Sequence, residues 1–73
     1  MKTLRPILPL RIQEKIATFP EFSYGTHRVT LILDDGTEIL EVFVAGSDEI
    51  IRVGTKEEFS FDITRVVDVR SEV

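Results

Sequence analysis

Any chemistry in this chain would start from His27, its single histidine and the one side chain whose ordinary pKa lies near neutrality. His27 follows a loop holding Ser23 and Tyr24, so a general base beside a hydroxyl is one reading of the spacing. No orienting carboxylate is placed with them, and His27 ends an apolar alternation, so it reads as a partly buried rim histidine. Asp34, Asp35 and Glu38 fall within five residues and could hold a hard cation through oxygen. The span lacks the long ligand loop of calcium motifs, however, and Asp before Gly is what a tight turn requires. We therefore expect no catalytic residue, no metal and no cofactor. Four cations, Lys2, Arg5, Arg11 and Lys15, could form a phosphate-contacting arm. Pro6, Pro9 and Arg11 match a P-x-x-P-x-R spacing of the kind SH3 domains accept, but the segment is shorter than such ligands usually are. Phe59 and Phe61 could stack bases, although filling a core explains them with less.

Composition narrows the setting in which those residues must work. At 73 residues the chain makes one domain with a small core. It has no cysteine, which removes disulfides and thiolate zinc sites together. The net charge of −4 disfavours nucleic acid and anionic membrane as partners, because both need clustered positive charge. The charge is uneven: four of the nine cations lie in the first 15 residues, against a single acid there. No apolar run is long enough to span a membrane, and Pro6, Pro9 and Arg11 interrupt the one that could act as a secretory signal. The expected location is cytoplasmic.

The elements that must position these groups follow from periodicity. Residues 1–8 read as an extended arm, since Pro6 and Pro9 restrict the backbone. Residues 9–19 read as a helix with Ile12, Ile16 and Phe19 on one face, ended by Pro20. Arg28 to Val44 reads as a β-hairpin. Val29, Leu31 and Leu33 alternate, Asp35-Gly36 turns the chain, and Leu40, Val42 and Val44 resume. A two-residue turn at Asp35-Gly36 sets Leu31 opposite Leu40, Val29 opposite Val42 and Arg28 opposite Phe43. In that register Ile32, Ile39 and Phe43 gather on the second face as an apolar patch. Glu49 to Val53, the segment around Phe59 and Phe61, and Val66 to Arg70 supply three more strands, with a 3₁₀ turn at Ile63-Thr64-Arg65. Residues 27–70 are thus expected to close into a small, mainly β, five-stranded antiparallel barrel with one short N-terminal helix, because an open sheet leaves edges that invite aggregation.

The helix, the alternation Val29-Thr30-Leu31-Ile32-Leu33-Asp34-Asp35-Gly36 into a D-G turn, and the closing Ile63, Val66, Val69 run resemble the Sm-like branch of the SH3-like barrels, over about residues 10–70. The resemblance implies the barrel fold, pairing of edge strands and, in the family, RNA binding by a ring. The family's RNA-contacting Asn and Arg-Gly pair would fall at Ser47-Asp48-Glu49 and Phe61-Asp62, and neither matches, so no RNA-binding residue carries over. The expectation is a small interaction module that self-associates through strand edges and the Ile32, Ile39, Phe43 patch. A nucleic-acid-binding barrel is the alternative.

Overall fold

A computed structural model describes residues 7–56 and 61–73. Within them the chain forms helix α1 (Leu10–Ile16), strands β1 (Thr26–Leu33), β2 (Glu38–Ala45) and β3 (Glu49–Val53), a 3₁₀ turn (Ile63–Arg65) and strand β4 (Val66–Ser71). The four strands make one antiparallel sheet in the order β3-β2-β1-β4. The domain is mainly β with one helix, as expected. The five-stranded closed barrel is not what forms: the described residues build a four-stranded open sheet. Of the segment expected as a fourth strand, Phe59 lies outside the described residues, and Phe61 packs on the core without joining the sheet.

The reason the sheet stays open lies in what covers it. Leu8, Ile12 and Ile16 lie in one buried cluster with Val29, Leu31, Leu33, Val42, Val44, Ile50, Val66 and Val69. The helix seals the apolar face, so burial does not require the sheet to curl onto itself. Pro9 starts α1 at the position where a missing N–H costs nothing, and Gln13 Nε2 donates to the Leu8 carbonyl at 2.8 Å. The helix is shorter than the expected 9–19: it stops at Ile16, and Phe19, whose N donates to the Ile16 carbonyl at 2.9 Å, packs on the core from the turn that leads to Pro20.

The hairpin turn differs from the expected one. Leu33 N donates to the Thr37 carbonyl and Gly36 N to the Leu33 carbonyl, both at 2.9 Å, so Asp34, Asp35 and Gly36 form a three-residue loop with Gly36 at φ +89°. Near the tip, pairing is therefore displaced by one: Leu31 faces Ile39 and Ile32 faces Glu38. Further along, Val29 faces Val42, Arg28 faces Phe43 and His27 faces Val44, as the alternation predicts. A bulge reconciles the two halves, with Leu40 and Glu41 together opposing Thr30. Glu41 takes φ +56° to make it, the left-handed conformation that an L side chain resists. The turn sets one register and the buried valines demand another; the extra residue absorbs the difference.

Candidate functional site

The bulge decides which side chains share the sheet's outer face. Ile39 turns inward and packs on the core, while Leu40 turns out and is 59% exposed. Ile32, Ile39 and Phe43 therefore do not form one patch: Ile32 is half-buried on the outer face, Ile39 belongs to the inner layer and Phe43 is covered. Phe43 is covered by polar and aromatic neighbours. It sits in a row across three strands, opposite Arg28 of β1 and Arg52 of β3. The Arg52 guanidinium stacks 4.0 Å from the Phe43 ring centre, Phe22 meets Phe43 edge-on at 5.5 Å, and Arg28 lies 5.0 Å from the Phe22 ring. Each such stack contributes about 0.5–1 kcal/mol where half exposed. Arg52 has no carboxylate in ion-pair reach among the described residues.

Glu72 closes the other end of this row. Its carboxylate accepts the Thr30 hydroxyl and, at 2.9 Å, the backbone amide of Glu41, while Oε1 lies 3.1 Å from Arg28 Nε. The Arg28 contact is one of charge, since that N–H does not point along a hydrogen bond. Burial pushes the Glu72 carboxyl up, but the hydrogen bonds from Thr30 and Glu41 together with the Arg28 charge outweigh it, and the group is held below its ordinary range. Arg28, Thr30, Leu40, Glu41 and Glu72 line a shallow groove of about 600 Å³.

The hairpin tip is neutralised by arginine. Arg65 donates to Asp34 from Nε and approaches Asp35 Oδ2 with a terminal nitrogen, both at 2.9 Å, and Arg70 pairs with Glu38 at 3.1 Å. The Thr37 hydroxyl and amide, with Arg65, hold the Asp35 carboxyl down at about 2. Among the described residues no group of three or more His, Cys, Asp or Glu side chains is placed to hold a metal. His27 is buried, and its Nδ1 donates to the Gly46 carbonyl at 2.6 Å. Tyr24 stands 99% exposed at a loop tip, and Ser23 pairs with Thr26 through the backbone.

Of the four cations expected to form an arm, Lys2 and Arg5 lie outside the described residues. Arg11 is exposed on α1, and Lys15 is bound to Asp68 at 2.6 Å. Arg28 and Phe43 are opposed in the register read from sequence, so half of the aromatic row was visible there. Phe22, Arg52 and Glu72 carried no sequence signal, because they reach the face from a loop, a third strand and the chain end. Among the described residues no helix is long and apolar enough to cross a membrane.

β4 forms one side of the sheet, and among the described residues no strand lies beyond it. Its outward amide at Val69 is taken by Asp68 Oδ1 at 2.8 Å. No protein-family model, no curated protein and no solved structure matches this chain.

Proposed function

We propose that the protein is a small non-catalytic interaction module that assembles with copies of itself through a sheet edge. The observation carrying this reading is the β4 side of an open sheet, where Val67 is 45% exposed and no described strand follows. Edge strands present unpaired backbone donors and acceptors, and a second strand is their natural complement. A small core adds to the motive, since domains of this size commonly gain stability from association. An Sm-like or SH3-like kinship belongs to the same reading: β4 returns beside β1 after a 3₁₀ turn, a layout compatible with such a small β fold. Sedimentation of the purified chain at high micromolar concentration should show a species heavier than the monomer. A strict monomer there removes the proposal.

One observation favours a second reading, a surface for single-stranded nucleic acid. Phe22 is exposed beside Arg28, and Arg52 stacks on the adjoining Phe43, the combination of ring and cation on which bases stack while phosphates are neutralised. The net charge of −4 and Glu72 within the same row weigh against it. Titration with mixed RNA at two salt concentrations decides: absence of binding at low salt ends this reading, and salt-sensitive binding lost in Arg52→Ala supports it.

A further inference from the structure

We propose that Asp35-Gly36 is a site of spontaneous covalent modification, cyclising to a succinimide that reopens as isoaspartate, and that Thr37 and Arg65 hold it unreactive while the chain is folded. The sequence isolates the position. Succinimide closure needs a side-chain carboxyl or amide one residue ahead of an unhindered main-chain nitrogen, and glycine suits the second place because it has no Cβ to obstruct the attack. This chain contains no asparagine, and of its five aspartates only Asp35 precedes glycine. Asp35 and Gly36 are exposed at the hairpin tip, and nothing stands within 4 Å of where a Cβ on Gly36 would lie, so a ring and the water that opens it both have room.

The reaction balances with water alone. The Gly36 nitrogen bonds to Cγ of Asp35 and gives up its proton as the carboxyl gives up a hydroxyl, so a water molecule leaves. Water then adds to the ring at one of its two carbonyls. Opening at Cγ breaks the new bond and restores aspartate. Opening at the main-chain carbonyl breaks the original peptide bond instead, and the backbone thereafter runs through the side chain, longer by a methylene. In this hairpin the length of the loop sets the pairing of Leu31 with Ile39, so the added atom falls where register is decided.

Both reacting groups are held in the folded chain. The Gly36 N–H donates to the Leu33 carbonyl at 2.9 Å, which fixes the peptide plane that must turn toward Cγ. Asp35 Oδ1 accepts the Thr37 amide at 2.9 Å, and Oδ2 lies 2.9 Å from an Arg65 terminal nitrogen, so each carboxylate oxygen has a partner that cyclisation would take away. Arg65 is itself anchored to the tip: Asp34 N donates to its carbonyl and its Nε donates to Asp34 Oδ1, both at 2.9 Å. Thr37 and Arg65 also keep the carboxyl ionised, and a carboxylate is a far poorer target for nitrogen than the neutral acid, whose hydroxyl can leave. These contacts lie at the surface, where such pairs open easily, so the protection lasts only while the 3₁₀ turn and the hairpin stay together.

The test is ageing of the purified chain for weeks in mildly acidic buffer, followed by digestion and fragmentation mass spectrometry that tells isoaspartate from aspartate at Asp35. Isoaspartate should accumulate slowly in folded wild type, severalfold faster in wild type held in urea, and at rates between in Arg65→Gln and Thr37→Val, with circular dichroism showing each variant folded. Absence of isoaspartate at Asp35 even in urea overturns the site. Equal rates for folded and unfolded wild type overturn its protection by the fold, a comparison that needs no variant. Folded variants that age no faster than folded wild type overturn the roles given to Thr37 and Arg65.

Discussion

Glu72 accepts the backbone amide of Glu41 across 31 residues of chain, at 2.9 Å. A bulge frees backbone groups that the ladder would otherwise satisfy. Here the Glu41 amide goes to Glu72, and the Glu41 carbonyl accepts Gly54 N at 2.8 Å. The strained residue is thus held from both sides, by the end of the chain and by the turn after β3. The same carboxylate satisfies Thr30, a buried hydroxyl on the opposing strand. One side chain at the end of the sequence keeps the central hairpin in its two-register form.

Glu72→Ala should therefore destabilise the domain by about 1–3 kcal/mol, because a Thr30 hydroxyl and a Glu41 amide lose their acceptor together. Urea denaturation followed by circular dichroism measures it. A loss below a few tenths of a kcal/mol would mean that water serves both groups equally well.

The bulge reverses the roles of two neighbours, and substitution separates them. Leu40→Lys should change stability by less than about 0.5 kcal/mol, as for other exposed surface positions. Ile39→Lys should cost well over about 1 kcal/mol by pressing a charge against the core. The unbulged register predicts the opposite order, so the pair reports which hairpin forms in solution.

Glu41→Gly should raise stability by up to about 1 kcal/mol, since glycine adopts the left-handed backbone without the Cβ clash that Glu41 bears. Glu41→Val should lower it by at least as much. Thermal melts of the two variants beside wild type show the difference directly.

Acid should weaken the fold in a defined window. Glu72, Asp62 and Asp68 are held below their ordinary values, and Asp35 is lowered from 3.8 to about 2. Each depressed carboxyl stabilises the fold while ionised. Its contribution is fully present above its unfolded value, 4.5 for Glu72 and 3.8 for the aspartates, and is lost as pH falls through the folded value. Stability should be flat with respect to these groups above about pH 5 and decline from there toward pH 2. A denaturation series across that range that stays level contradicts these assignments.

Asp35 allows a finer check. Its largest influence is the Thr37 hydroxyl, ahead of Arg65. Thr37→Val and Arg65→Gln should therefore each raise the Asp35 pKa, as read by NMR titration of the carboxyl. An Asp35 pKa unmoved by Thr37→Val would remove the hydroxyl as its leading cause.

Much of the fold was legible locally. The alternation around Val29, Leu31, Val42 and Val44 fixed the strands and the far half of their register, because inward and outward positions alternate over neighbouring residues. Pro9 set the start of the helix and Ile12 and Ile16 marked its buried side, through constraints that act within a turn or two of chain, while its end came at Ile16, ahead of the expected stop at Pro20. Asp34-Asp35-Gly36 announced a turn but not its length, since Asp-Gly suits both the two-residue and the three-residue loop. The candidate surface was less legible. Phe43 and Arg28 were paired correctly, while Ile39 was placed on the wrong side by the one-residue difference in that loop.

What the sequence determined by itself is a set of short-range facts: a hairpin, a short amphipathic helix begun at Pro9, and a net charge of −4. Tertiary structure decided the rest. The helix covered the apolar face and left the sheet open, Glu72 and Gly54 stabilised a left-handed residue no local rule would place at Glu41, and Arg52 and Phe22 met over Phe43 from separate elements. The physical reason is range. Dihedral preference and side-chain alternation act between near neighbours, whereas a bulge or an uncovered edge exists only by virtue of groups that approach from dozens of residues away.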